Sequence, residues 1–498
     1  MKGRRKDNVI ACTCVVLVCL FAFISCGKNT GGDQSVSSTD VAPVNLIIWN
    51  YYIGEQKKAF DAAVAEFNAT VGLKEKIVVE SVSKSDITTL NNQVAASANN
   101  EPGSEPLPDM FFAYSDIAYV LAEKGLLESY DAYVAPGTFD LFVPGFVAEG
   151  KILDDGKTYI LPVAKSTEVI TINKTDFDIF MEAVDADSRF EDVSYDSFLT
   201  WEGIVKVSRA YYEWTAATTG DGKALFGIDS IANFLISSNR QLGVELMTVA
   251  DGKGTLSLKR SALEKIWDTY YEPMVRGWFA AYGRFRSDDV KTGDLLAYLG
   301  SNTSGAYFPK QVFAENEATY PIDLLVMSMP VYEGCEKVAI QQGAGVAMIK
   351  SDARKAQAAA MFLLWFSEPD LNIKFATMSS YIPVRNEAIG QLDAQYAQNP
   401  PDDRIGMTLE RAISQVASGY DMYAPRPYSG SYELRLVLEN VLKHSCADAR
   451  AKVLEDISVG VDYETAVRKQ LEGEYFENFI KSLVDAATKN GVSVCVME

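Results

Sequence analysis

Apolar positions recur along this chain in two rhythms. Val44-Asn45-Leu46-Ile47-Ile48-Trp49 is short, β-branched and apolar, which predicts a buried strand. Ala59, Phe60, Ala63, Val64 and Phe67 then repeat at helical spacing. Ile77–Val82 predicts a second strand, and a helix carrying Leu90 and Val94 runs into the breaker-rich stretch Asn99–Pro108. Asp109–Tyr114 predicts a third strand, followed by a helix that stops at Gly125. Strands alternating with helices predict a parallel sheet covered on both faces. A second series begins after Tyr159–Val163. There Thr200 is placed to cap the helix bearing Ile204, Val205, Val207 and Tyr211. Val338–Ile349 is strand-like, and the apolar helix Ala356–Phe366 follows the capping candidates Ser351 and Asp352. No internal repeat is present. Interruptions between lobes are expected near Lys165, near Lys337 and in the polar stretch Gln391–Asp403.

The start of the chain follows a different pattern. Lys2, Arg4, Arg5 and Lys6 precede an apolar run from Val9 to Ile24 that is short for a mature membrane span, and Ser25-Cys26-Gly27 closes it. This reads as a signal peptide. A cysteine directly after a small residue resembles the lipobox of bacterial lipoproteins. That resemblance implies cleavage before Cys26 and two or three acyl chains anchoring it. The alternative is an ordinary signal peptide with a cysteine in its cleavage region, since Cys12, Cys14 and Cys19 also stand in the run. Gly27–Asp40 is rich in Gly, Ser, Thr and Asn and cannot bury enough apolar surface to fold, so it is expected to be a flexible linker. The body from about Val44 suits two lobes, and no later run is long enough to cross a bilayer.

The formal charge is −21; losing residues 1–25, with four basic side chains and one acidic, leaves −24. Such a chain repels phosphate backbones and is expected to bind no nucleic acid. Cys335, Cys446 and Cys495 are the cysteines of the body, an odd number that allows at most one disulfide. His444 is the single histidine, which excludes Ser-His-Asp, Cys-His and multi-histidine metal chemistry. No cofactor or metal is expected.

Several segments in order resemble the family 1 extracellular solute-binding proteins of ABC importers, the group of maltose-binding protein. They are Leu46–Tyr51, Pro108–Ala113, Gly125–Asp131, Leu161–Ile170, Gln342–Ala347, Ala360–Phe366 and Ser380–Arg385. The resemblance spans about residues 44–390 and is looser over the last hundred. It implies an α/β, two-lobed periplasmic-binding-protein type II fold with hinge-crossing strands near Leu161–Ile172 and Gln341–Val346. Residues 44–165 with 338–395 would form lobe one, and 166–337 with 396–498 lobe two. It also implies no enzymatic activity, a carbohydrate ligand, permease subunits as partners, an extracytoplasmic location and a monomer. The chain lacks GxxxxGK[ST], so the ATPase would be separate.

A sugar site needs aromatic faces and planar polar groups, and in open α/β sheets it lies beyond the carboxyl ends of the strands. Trp49, Asn50, Tyr51 and Tyr52 follow the first strand, with the core as the alternative for Trp49. Tyr114, Ser115 and Asp116 follow the third, where Asp116 is equally placed for a helix cap. Ser166, Thr167 and Glu168 lie in the hinge, where the family commonly places polar contacts. Ser304, Tyr307 and Phe308 lie in a loop rich in small residues. Gln342 and Gly343 let backbone approach a ligand, and Tyr381 precedes Pro383 in a constrained loop. Arg426, Tyr428 and Tyr432 border a predicted helix start, where an arginine suits a phosphate or pairs with surface acids. Three other functions stand beside sugar capture. They are binding of a phosphorylated polyol such as glycerol 3-phosphate, an envelope glycosidase using two carboxylates, and an adhesin or chemotaxis receptor.

Overall fold

The computed structural model describes residues 42–498, apart from 186, 191, 220, 221 and 314–318. The expected signal peptide, Cys26 and most of the linker lie outside the described residues. Pro43–Glu498 forms one compact unit.

Val44–Asn50 alternates buried and exposed positions before its end turns wholly inward, as a strand does when one face is covered first. It pairs in parallel with Ile77–Ser83, from Val44 opposite Ile77 to Asn50 opposite Ser83, and with Met110–Ala113 on its other side. Gly345–Ile349 joins antiparallel to Met110–Ala113, and Leu127–Glu128 and Ile160–Leu161 both pair with it. The second sheet runs Leu324–Met327, Glu168–Asn173, Ala297–Ser301, Phe226–Ile228, with the first two junctions antiparallel and the last parallel.

Both sheets are therefore mixed, which corrects the purely parallel expectation. The reason is connectivity. Met110–Ala113 runs toward the junction between the sheets, whereas Gly345 and Glu168 each begin a strand that starts at the junction and leads away. A strand entering from the other sheet must oppose the strands that end there. The segment Val338–Ile349 is likewise two strands, Val338–Ile340 and Gly345–Ile349, because the four residues between them cross from one side to the other.

Short polar side chains start many helices as the sequence requires. Asp86 accepts from the Thr89 amide at 2.8 Å, Asp352 from the Arg354 and Lys355 amides at 3.0 Å, and Thr200 from the Gly203 amide at 3.1 Å. Asp116 sits in the first turn of Ser115–Glu123, while Tyr114 holds the cap position. The polar stretch Gln391–Asp403 is mostly helix, Asn386–Gln398. Its polar residues form an outer face while Ala388, Ile389, Leu392 and Tyr396 are buried.

The last hundred residues build one side of the second sheet's surroundings. Arg404–Ala417 lies on Leu324–Met327 and Glu168–Asn173. The long helix Ser431–Ser458 packs on Ile231–Gln241 and Arg260–Arg276, and the final strand Ser493–Met497 pairs in parallel with Lys253–Lys259. Cys335, Cys446 and Cys495 are free thiols. No helix among the described residues is long and apolar enough to cross a membrane.

Candidate functional site

Three stretches of chain meet where the sheets join. Ser166 and Gln342 exchange backbone hydrogen bonds of 2.9 and 2.8 Å, and the Lys165 amide donates to the Ile382 carbonyl at 3.0 Å. Lys165 is buried. Its ammonium pairs with the Glu149 carboxylate and donates to the Gly343 carbonyl at 2.8 Å. The Gln341 side-chain amide also donates to Glu149. A buried ion pair is tolerated only when such additional hydrogen bonds replace lost water. Gly343 has φ +86, and a Cβ there would lie 2.9 Å from the Ala164 carbonyl oxygen, so no other residue fits without moving the crossing. Thr167 is wholly buried. Its amide donates to Asn302 Oδ1 at 2.8 Å and its hydroxyl to the Ile340 carbonyl at 2.9 Å. Asn302 also donates to the Ser380 carbonyl, tying the loop after Ala297–Ser301 to the segment that carries Tyr381 and Ile382.

Around this junction the structure gathers tyrosines distant in sequence. The Tyr51 and Tyr381 hydroxyls are 3.2 Å apart, and Tyr51 stands edge-on to Phe112 at 6.0 Å. Burial first, and then the neighbouring tyrosine hydroxyls, push Tyr51 and Tyr381 well above the usual phenol range. Tyr114 is raised by burial and then by Glu149, and its hydroxyl meets the backbone of Gly343, as that of Tyr51 meets Ala344. Tyr307, 72% exposed, comes from the segment after Ala297–Ser301 of the second sheet and lies within electrostatic reach of Tyr381. These groups donate and accept hydrogen bonds and present apolar ring faces, which is the surface a polyhydroxylated ligand needs.

A polar chain continues from the tyrosines. Glu168, 1% exposed, accepts from Asn233 Nδ2 at 2.8 Å, while its Oε2 has no partner. The carbonyl oxygen of the same Asn233 side chain accepts from the Arg435 guanidinium. Burial pushes Glu168 up to about 7, opposed by the Asn233 hydrogen bond and by the positive charge of Arg435. Asp116 is half-buried; burial raises it, and the Ile117 amide and Arg435 oppose that rise. Asp229 and Glu439 add negative charge near Glu168, and Glu439 accepts from the Ala232 amide at 2.8 Å.

The expected contacts thus divide. Tyr51, Tyr114, Asp116, Ser166, Glu168, Tyr307, Gln342, Gly343 and Tyr381 come together at the junction. Trp49, Asn50, Tyr52, Phe308 and Tyr428 are buried and serve packing. Asn50 bonds Ser81 at 3.0 Å and the Tyr52 amide at 3.1 Å, Tyr52 packs among Phe60, Phe112 and Phe375, and the Tyr428 ring occupies the space left by Gly254. Thr167 is consumed by its bonds to the Asn302 side chain and the Ile340 carbonyl. Ser304 donates to the Ser301 carbonyl at 2.6 Å, and Ser115 merely opens its helix. Arg426 pairs with Asp154 on the surface, and Tyr432 is 50% exposed at the start of Ser431–Ser458. Sequence reasoning missed Glu149, Lys165, Asn233 and Arg435. The usable signal was a lone charge in apolar company: Lys165 in Pro162–Lys165 and Arg435 in Leu434–Leu438.

Two surface depressions lie away from this cluster. One of about 390 Å³ follows the edge strand through Lys174, Leu325 and Arg411; the other, about 480 Å³, lies between Pro144, Ile389 and Met422. Neither gathers the tyrosines, carboxyls and guanidinium described above. Among the described residues no group of His, Cys, Asp and Glu could hold a metal ion.

The sequence model of a family described as bacterial extracellular solute-binding protein matches residues 62–401. No curated protein sequence matches the chain. Among solved structures, the cyclic alpha-maltosyl-1,6-maltose binding protein of Arthrobacter globiformis is similar at 18% identity and a TM-score of 0.60, covering 89% of this chain and 99% of its own. UgpB of Mycobacterium tuberculosis in complex with glycerophosphocholine is similar at 18% and 0.58, covering 91% and 100%. The maltodextrin-binding domain MalE of Bdellovibrio bacteriovorus, bound to maltotriose, is similar at 13% and 0.55, covering 88% and 100%. At these identities the structural likeness establishes the two-lobed fold.

Proposed function

Because this chain belongs to the family of bacterial extracellular solute-binding proteins, we propose that it captures a carbohydrate, a mono- or oligosaccharide, between its lobes and delivers it to the permease of an ABC importer. The observation that carries this reading is the meeting of Tyr51, Tyr114, Tyr381 and Tyr307 from both lobes beside the hinge crossings, with Asp116 and Arg435 at their margin. The division into lobe one, 44–165 with 338–395, and lobe two, 166–337 with 396–498, is part of the same reading. In it Cys26 carries the lipid that holds the protein outside the cytoplasm, and the ATPase is a separate chain. The protein acts as a monomer and leaves its ligand unchanged.

One observation favours the glycosidase alternative: Glu168, at about 7, has the acidity of a general acid and lies near a second carboxyl. Its enclosure argues against that role, because an acid 1% exposed and hydrogen-bonded to Asn233 does not reach a glycosidic oxygen. A thermal-shift screen of Val44–Glu498 against mono- and oligosaccharides and polyol phosphates tests the proposal, since a ligand bound only by the folded state raises its melting temperature. A sugar is expected to raise it and to be recovered intact by mass spectrometry. Turnover would revive the glycosidase, and a screen with no stabilising sugar would remove carbohydrate capture.

A further inference from the structure

We propose that Arg426 and the hairpin turn Asp251–Gly252 form a latch on Tyr119, Glu123 and Asp154, and that this latch sets how readily the lobes close whatever ligand lies between them. The inference rests on the capture reading above and on its lobe division. Tyr119, Glu123 and Asp154 belong to lobe one of that division, and Asp251, Gly252 and Arg426 to lobe two. None of the six belongs to the tyrosine cluster. The ion pairs Lys84–Glu105, Lys355–Asp109, Arg240–Asp421 and Arg260–Glu477 each stay within one lobe, whereas Arg426 and Asp154 pair across the two.

Local structure prepares both halves of the contact. Tyr119 and Glu123 are four positions apart on Ser115–Glu123 and share one face of that helix, where the Tyr119 hydroxyl donates to the Glu123 carboxylate at 2.9 Å. Met247–Ala250 and Lys253–Lys259 form a hairpin joined by Asp251-Gly252, both at positive φ, the dipeptide that two-residue hairpin turns favour. A Cβ at Gly252 would lie 2.9 Å from the Tyr119 hydroxyl and 3.9 Å from the Glu123 carboxylate, so the bare backbone of the turn is seated on this pair. The Tyr428 ring lies over Gly254 and ties the loop that carries Arg426 to the same hairpin. Arg426 and Asp154 are in turn both within electrostatic reach of Tyr119. Turn and ion pair therefore meet lobe one at a single place.

A partly exposed ion pair and one seated turn are weak restraints, which suits a contact that has to release. A ligand bound by the closed form alone has an apparent affinity scaled by the fraction of protein already closed. Loss of the latch lowers that fraction and so weakens every ligand by one common factor. Salt screens the ion pair and shrinks the factor.

The test needs no ligand. Spin labels on Lys124→Cys and Lys443→Cys, two exposed positions on different lobes, report the lobe separation by pulsed electron double resonance, with Cys335 and Cys495 replaced by serine. At low salt the ratio of the short-distance to the long-distance form should fall about two- to fivefold in Arg426→Gln. The exchange Arg426→Asp with Asp154→Arg should restore the ratio, and high salt should bring wild type and Arg426→Gln together. Gly252→Ala should also open the lobes, because its Cβ strikes Tyr119 when the turn is seated, and Tyr119→Phe should relieve that opening by removing the hydroxyl. The strain of a Cβ at positive φ is equal in both forms and cancels, so this coupling reads the contact itself. Equal distances in wild type and Arg426→Gln, or an opening by Gly252→Ala that Tyr119→Phe leaves in place, overturn the latch while leaving capture intact. Calorimetry with a panel of saccharides and alditols, maltotriose and ribitol included, is the second arm. Each member that binds wild type should bind Arg426→Gln more weakly, in proportion to its closed fraction; any other factor overturns the ligand independence. A panel with no bound member overturns the capture reading, and the unliganded distances still decide the latch.

Discussion

Glu168 joins the hinge to the cleft through one side chain. It begins the strand that leaves the crossing, and Asn233 and Arg435 extend from it. Its ionised form is disfavoured by burial, so its folded value of about 7 lies above an unfolded value near 4.5. The folded state thus binds the extra proton between those two values, and stability falls as pH rises from about 4.5 to about 7. Two and a half units correspond to about 3 kcal/mol at most. Glu168→Gln keeps an oxygen for Asn233 and removes the titration. The variant should gain stability over wild type at pH 8 and lose that advantage at pH 4.5. Parallel urea denaturation at both pH values checks this, and an equal difference at both would show that burial does not oppose the charge.

The helix Ser431–Ser458 shows how an element beyond the family-matched residues supports the rest. Leu434, Val437, Leu438, Leu442 and Val453 are buried beneath it. At about 1.5–3 kcal/mol per side chain their burial contributes about 10 kcal/mol, comparable with the whole net stability of a domain, about 5–15 kcal/mol. Ending the chain after Pro401 should therefore leave Ile231–Gln241 and Arg260–Arg276 uncovered and give an insoluble product. Expression of residues 44–401 beside 44–498, followed by a solubility assay, measures it; a soluble, cooperatively folding 44–401 would mean the helix is an accessory. Its caps and apolar spacing were readable locally. Its partners were not, because they lie some two hundred residues earlier.

For the whole molecule, the hinge consists of three crossings held by backbone pairs at Lys165, Ser166, Gln342 and Ile382. Hinge motion about such crossings is the movement by which a two-lobed binding fold closes. Ligand binding between the lobes should make the particle more compact. Small-angle scattering with and without the stabilising sugar from the thermal-shift screen should show a smaller radius of gyration with ligand. An unchanged radius would mean that the ligand sits in a cleft already closed.

Local pattern alone determined much of this protein. Strand and helix succession, the caps at Asp86, Thr200 and Asp352, and the aromatic residues following the first and third strands all depend on neighbours within a few positions, where side-chain spacing and capping act. The tertiary structure decided what those residues do. Trp49 and Tyr51 stand two positions apart on one strand end, yet one is buried under Lys84 and the other bonds Tyr381. Strand direction was also decided there, since a crossing reverses the strand that follows it. Arg435 joined the site because a helix more than two hundred residues away carries Asn233 to it. That association depends on long-range packing, which no local spacing in the chain records.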